Sequence, residues 1–310
     1  MKKKIFLKSG DNIGVCAPSA RFDVQKFNAG IQVLQNLGYK VKIPKEIFEK
    51  KRYLAGDDIL RANIINQLFS DPDIDGIVCA RGGFGAMKLL NYLDWKLITK
   101  NPKLFIGFSD ISALLLSILD QTQGETGSKI GDESENMVIH GPTIVSLATA
   151  QDKTIESFQN AIQGRFSEIE IFNGEVLQFG RGTGILKGGN ISTISHLLGT
   201  SFQPVFKNCI IFLEDIGESA YKIDRMLSQM KMAGMFKKIK GVITGSFEKC
   251  ENDQYLQEIL LEIFKEYDVP IITGMDAGHG KINLSLPMGM NIEIAIDIAM
   301  NSQTIKIHWM

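Results

Sequence analysis

Leu104-Phe105-Ile106-Gly107-Phe108-Ser109-Asp110-Ile111-Ser112-Ala113-Leu114-Leu115 is an apolar strand that passes straight through a serine into an apolar helix. The strand shows no polar alternation, which is the pattern of a strand buried on both faces of a parallel sheet. Working outward, Ile13-Gly14-Val15-Cys16 and Gly76-Ile77-Val78-Cys79-Ala80 read the same way, and Val41-Lys42-Ile43 adds a short strand before Pro44. Between them, residues 23–37 place Val24, Phe27, Ile31 and Leu34 at helical spacing and stop at Gly38. Residues 57–69 form a second amphipathic stretch, with Asp57 or Asp58 at the start, where the helix dipole favours a carboxylate. Met137-Val138-Ile139 is a further strand, ending in His140-Gly141-Pro142. Strands alternating with helices predict an α/β fold with a parallel sheet covered on both faces.

The second half predicts helices over 191–198, 221–232 and 254–267 and strands over 209–213, 242–244 and 271–273. Two closing strands, 292–296 and 304–307, alternate in the antiparallel manner. Residues 1–150 are expected to form an N-terminal α/β domain and 185–310 a C-terminal mixed α/β domain. The polar, glycine-punctuated 151–184 is read as the crossing between them. From Gln121 to Asn136 the only large apolar residue is Ile130, so a surface loop is expected there.

Composition narrows the function classes. The chain has 310 residues, 44% apolar and 22% charged, which excludes disordered, collagen-like and disulfide-scaffold proteins. With 34 basic and 35 acidic residues it has no electrostatic footprint for nucleic acid or anionic membrane. Three lysines precede Ile5-Phe6-Leu7, but Lys8 ends that apolar run short of the roughly 7–15 residues an export signal needs. Cys16, Cys79, Cys209 and Cys250 lie far apart without metal-ligand spacing and read as reduced thiols in a cytoplasmic protein.

The strand–serine–helix junction exposes a hydroxyl on a tight turn and aims the first helix N–H groups at the same point, where an oxyanion would be stabilised. It is not the G-x-S-x-G elbow, because Asp110 and Ile111 replace its second half. On this segment alone, Ser109 or Asp110 as a helix N-cap is the plainer reading. A nucleophilic serine needs a base, and the base an orienting carboxylate. Of four histidines, His308 lies in the last strand, His196 inside a helix, and His140 at a strand end. His279 sits between Gly278 and Gly280 in the loop after the 271–273 strand and is the favoured base. Glu214 and Asp215 directly follow the apolar Ile210-Ile211-Phe212-Leu213. Glu214 is within reach of a histidine on a neighbouring loop, whereas Asp215 and Glu218 are available to cap the helix beginning near Ser219. Arg81-Gly82-Gly83-Phe84-Gly85 is a glycine-rich turn that either cradles phosphate or donates backbone N–H groups; it lacks the P-loop ending. A second cluster, Gly180 to Asn190, reads as close backbone packing between domains.

These segments resemble one family. Ala17-Pro18-Ser19, Arg81-Gly82-Gly83-Phe84-Gly85, Gly107-Phe108-Ser109-Asp110, His140-Gly141-Pro142, Leu186-Lys187-Gly188-Gly189-Asn190, Gly199-Thr200, Leu213-Glu214-Asp215 and Gly278-His279-Gly280 follow the order found in the LD-carboxypeptidases. That serine peptidase family includes murein tetrapeptide carboxypeptidases and microcin C immunity peptidases. The resemblance spans nearly the whole chain. It implies a Rossmann-like N-terminal parallel sheet, a C-terminal mixed α/β domain and an active site in the cleft between them. Ser109 matches the nucleophile, Glu214 the triad carboxylate, His279 the general base, and the amides of Gly83 and Asp110 the oxyanion donors. The implied activity is release of D-alanine from the meso-diaminopimelate of murein tetrapeptides, in cell-wall recycling. The family needs no metal or organic cofactor and commonly forms homodimers. The polar Gln121 to Asn136 stretch is longer than the family's connection before His140. Two other readings stand beside this one: cleavage of an aminoacyl-nucleotide antibiotic by the same machinery, and a non-catalytic peptide- or nucleotide-binding protein. Trp95 and Trp309 lie outside the segments assigned to the cleft, so neither offers a stacking face for a nucleobase there.

Overall fold

A computed structural model describes residues 6–122, 137–166, 168–172, 174–250, 253–299 and 302–310. The chain divides into two compact units. The first runs to Arg165 and takes back Leu284–Pro287; the second comprises Phe166–Asn283 and Met288–Met310.

The first unit follows the alternation the sequence predicts. In chain order it holds β1 (Asn12–Cys16), α1 (Val24–Asn36), β2 (Lys40–Lys42), α2 (Asp58–Ser70), β3 (Gly76–Cys79), α3 (Trp95–Lys100), β4 (Leu104–Gly107), α4 (Ser112–Thr122), β5 (Met137–His140), α5 (Ile144–Leu147) and α6 (Asp152–Ile162). The order β5-β4-β3-β1-β2 is parallel throughout. Every residue of β3, β4 and β5 is buried, as a sheet covered on both faces demands. Aspartates start the helices: Asp23, Asp57 and Asp94 each accept a backbone N–H three residues on, from Lys26, Leu60 and Leu97. Helix α6 lies inside the passage read as a crossing. Its composition is polar, but Thr154, Phe158, Ala161 and Ile162 are spaced i, i+4, i+7, i+8 and all four are buried. A stripe that narrow is easily lost in a polar segment.

The second unit holds β6 (Ile169–Ile171), β7 (Val176–Gln178), β8 (Gly182–Asn190), α7 (Ile191–Ser195), β9 (Cys209–Ile216), α8 (Ala220–Met232), β10 (Gly241–Glu248), α9 (Asp253–Phe264) and β11 (Ile271–Ile272). After these, β12 (Leu286–Met288) joins the first sheet beside β5, and β13 (Asn291–Ala299) and β14 (Ser302–Trp309) close the second. Its order among the described residues is β6-β14-β13-β8-β9-β10-β11-β7. β8 to β11 form a parallel centre, flanked by antiparallel strands. The two closing strands pair antiparallel, with Ile294 opposite Ile307 and Ile296 opposite Ile305. The second glycine cluster packs backbone within this unit: a methyl on Gly188 would stand 1.8 Å from the carbonyl oxygen of Phe212 on β9. The loop expected from Gln121 to Asn136 lies, beyond Thr122, outside the described residues. Among the described residues no helix is long and apolar enough to cross a membrane, and no cluster of His, Cys, Asp and Glu is arranged to hold a metal.

One contact gives a direct test of this packing. A methyl on Gly30 of α1 would stand 1.9 Å from the backbone oxygen of Ile144, which cannot swing aside as a side chain would. Gly30→Ala is expected to destabilise the protein by about 1–3 kcal/mol, read as a lower urea midpoint at unchanged slope.

Candidate active site

All four residues of β4 are buried, and the chain then turns sharply at Phe108 into a single tight helical turn, Ser109–Ile111, before α4. Ser109 sits at φ +66°, in the left-handed region. For a residue with a Cβ this costs on the order of 1–2 kcal/mol, and such strain collects at functional turns. The neighbouring glycines explain how the turn is accommodated. A methyl on Gly107 would meet Ile111 Cγ2 at 2.7 Å, and one on Gly82 would stand 2.9 Å from Ser109 Cβ and 3.2 Å from its hydroxyl. The loop after β3 therefore lies directly against the serine, and Gly83 (φ +114°) and Gly85 (φ +135°) give it a backbone path closed to other residues.

Asp110 holds this arrangement together. Its buried carboxylate accepts the Ser19 hydroxyl at 2.6 Å and the Ala86 N–H at 2.8 Å, tying the loops after β1 and β3 to the turn after β4. The helix-cap reading of Ser109 and Asp110 is not what forms, since Phe108 occupies the cap position and no side chain caps that turn. Arg61 of α2 supplies a second tie. Its buried guanidinium donates to the carbonyls of Pro18 and of Gly85 (3.2 Å) and pairs with Asp58 at 2.5 Å. Sequence reasoning missed both Ser19 and Arg61. Ser19 carried a trace in the Ala17-Pro18-Ser19 motif, whereas Arg61 reads as an ordinary charge on a helix.

In the second unit β9 runs two acids further than expected, so Glu214 and Asp215 lie within the strand. Glu214 has no solvent exposure, and its Oε2 lies 2.6 Å from Nδ1 of His279. Gly278 permits that approach: at φ +104° it holds no side chain, and a methyl there would stand 2.7 Å from the same oxygen. Two bonds fix the loop on either side of the imidazole. The Gly278 N–H donates to Asn283 Oδ1 at 2.9 Å, and the Gly280 N–H to the Ser246 hydroxyl at 2.8 Å. Burial pulls the His279 pKa down, but the bond to Glu214 and the charges of Glu214, Asp215 and Glu248 outweigh it and hold the ring above its ordinary value. With Nδ1 committed to the carboxylate, Nε2 is the nitrogen left for proton transfer.

Asp215 does not cap the helix after Ser219; α8 starts without a side-chain cap. It turns instead toward the start of α7, accepting the Ser192 N–H (2.9 Å) and hydroxyl (2.8 Å), Asn190 Nδ2 (3.0 Å) and the Ile216 N–H (2.8 Å). Burial pushes its pKa up despite these bonds, with the charge of Glu214 adding to the effect. Glu218 pairs with Lys222 at 3.2 Å. The other histidines have structural surroundings: His140 is buried at the end of β5 against Phe108, His196 caps the end of α7, and His308 pairs with Glu168. The structure thus brings Glu214 and His279 together in the second unit, and Ser109, Asp110 and the Gly83 loop together in the first.

Comparison with known proteins gives this pattern its relatives. The model of the LD-carboxypeptidase N-terminal domain matches residues 13–127, and that of the C-terminal domain residues 183–294. The chain belongs to the LD-carboxypeptidase family. It is 32% identical to a probable murein peptide carboxypeptidase of Bacillus subtilis, over 91% of this chain and 88% of the relative. It is 27% identical to the microcin C7 self-immunity protein MccF of Escherichia coli, over 94% and 92%. Among solved structures, an MccF-like protein from Bacillus anthracis superposes with a TM-score of 0.87 at 25% identity, covering 99% of each chain. As a member of this family the protein is a peptidase, with the two-domain mixed α/β fold the family shares.

The imidazole–carboxylate pair predicts a titration. By NMR, His279 should protonate with a midpoint above the ordinary imidazole value of about 6.5, and Glu214→Gln should bring that midpoint down. Because the folded value is raised, the pair's contribution to stability is full below the unfolded value and is lost as pH rises through the folded one. An unshifted midpoint in the variant would contradict the assignment of Glu214 as the dominant partner.

Proposed function

We propose that this LD-carboxypeptidase hydrolyses the amide joining a terminal D-amino acid, D-alanine, to the L-centre of meso-diaminopimelate in murein tetrapeptides. The observation that carries the reading is the buried 2.6 Å bond between Glu214 and His279, because a carboxylate committed to Nδ1 is what a histidine base requires. The strained Ser109 turn supplies the matching nucleophile. Ser109 Oγ attacks the scissile carbonyl carbon as His279 Nε2 takes the hydroxyl proton, and Glu214 stabilises the imidazolium. The amides of Gly83 and Asp110 receive the oxyanion. As the C–N bond breaks, His279 returns the proton to the departing amine. Water, activated by the same imidazole, then cleaves the acyl-enzyme and restores the serine. We place this activity in the cytoplasm, on peptides returned from wall turnover, with no metal or organic cofactor and with the protein acting as a homodimer.

A second reading keeps the machinery and changes the substrate to an aminoacyl nucleotide. One observation favours it: Tyr53 and Phe84 are exposed, their ring centroids lie 6.0 Å apart, and Phe84 belongs to the loop lying against Ser109. Such rings offer a face for a nucleobase.

Incubation with murein tetrapeptide should release free D-alanine, and release should persist in chelator. Ser109→Ala should lower kcat by about 10⁴-fold or more. Turnover of an aminoacyl sulfamoyl adenosine without turnover of tetrapeptide would overturn the murein reading in favour of the second.

A further inference from the structure

Two arginines adjoin, along the chain, the residues that seat the glycine loop on the Ser109 turn. Arg81 follows the end of β3 and immediately precedes Gly82, the residue whose backbone lies against the Ser109 side chain. Its Nη1 donates to the carbonyl oxygen of Arg21 at 3.1 Å. Arg21 in turn follows Ala20, whose N–H donates to the Gly82 carbonyl at 3.3 Å and whose Cβ would lie 2.7 Å from a methyl on Gly83. The two arginines therefore flank the contact that seats the glycine loop on the serine. Both are exposed, and among the described residues neither forms an ion pair. Their neighbours differ: Arg61 and Lys88 both pair with Asp58.

An exposed arginine is ordinarily a solvated charge that contributes little. What sets Arg81 apart is its place together with the demand of the chemistry. In a substrate cleaved at its last amide, only the amide nitrogen and one carbon separate the scissile carbonyl from the terminal carboxylate. The cation that reads this carboxylate must therefore stand next to the nucleophile. Arg81 is one peptide bond from the residue in contact with it. The single bond to Arg21 orients the guanidinium and leaves four of its five N–H donors for a planar, bidentate anion. We propose that Arg81, with Arg21 beside it, binds the free carboxylate of the residue that departs on hydrolysis, and so makes the enzyme an exopeptidase. This rests on the proposed hydrolysis of the terminal amide.

The test compares two substrates, the murein tetrapeptide ending in D-alanine and the same peptide ending in D-alaninamide. Wild-type enzyme should prefer the free acid in kcat/KM by about 10- to 100-fold, the loss expected when hydrogen bonds to a charged group are removed. Arg81→Met, with an unchanged thermal midpoint, should lose this factor on the acid and little on the amide, so that the preference collapses. Arg81→Lys, which keeps the charge but not the fork, should fall between. A wild-type enzyme without preference would overturn the assignment with no variant needed, and so would an Arg81→Met enzyme that keeps the wild-type preference. If the wild type cleaves neither peptide, the hydrolytic reading itself fails and the carboxylate site falls with it; equal cleavage of both leaves that reading standing and removes only the site.

Discussion

A carboxylate stripped of water is costly, and Glu214 has no exposed surface at all. The imidazole of His279 at 2.6 Å offsets that cost. The loop that carries His279 is shaped around that bond. Gly278 exists in a left-handed conformation so that nothing stands between backbone and carboxylate, and Asn283 and Ser246 hold the flanking amides so that the ring cannot drift. Asp215, one residue along on the other face of the strand, is satisfied by Asn190 and by Ser192 at the start of α7. Two adjacent buried acids thus have separate partners, one an imidazole and the other the start of a helix.

The first unit solves a different problem by similar means. A serine in a left-handed turn must be held there by its surroundings, since the strain favours relaxation. The restraint comes from polar groups that bridge loops: Asp110 to Ser19 and Ala86, and Arg61 to the Pro18 and Gly85 carbonyls. Gly82 and Gly107 remove the side chains that would otherwise push the turn apart. The apolar strands place the junction, while these polar bridges and bare backbones define its geometry.

Most of this was legible in the chain itself where a physical period was at work. The uninterrupted apolar strands announced a covered parallel sheet, and the alternation in the last residues announced the antiparallel closing pair. That Glu214 reaches His279 was legible because an acid directly after an apolar strand needs a partner and a glycine-flanked loop lets one come close. The failures have two causes, a weak local signal and dependence on partners distant in sequence. Helix α6 has too narrow an apolar stripe to stand out from its polar composition. β9 continues through two acids only because His279 and the α7 start satisfy them. Arg61 becomes a tie between loops only once α2 packs beneath Pro18 and Gly85.

The central claim is that the Glu214–His279 pair activates Ser109 for covalent attack. Mass spectrometry after incubation with a phosphonate that forms a covalent serine adduct tests it most directly. The account predicts one adduct, on the peptide containing Ser109, abolished in His279→Ala. Labelling at another residue, or labelling of Ser109 at an undiminished rate without His279, would contradict it.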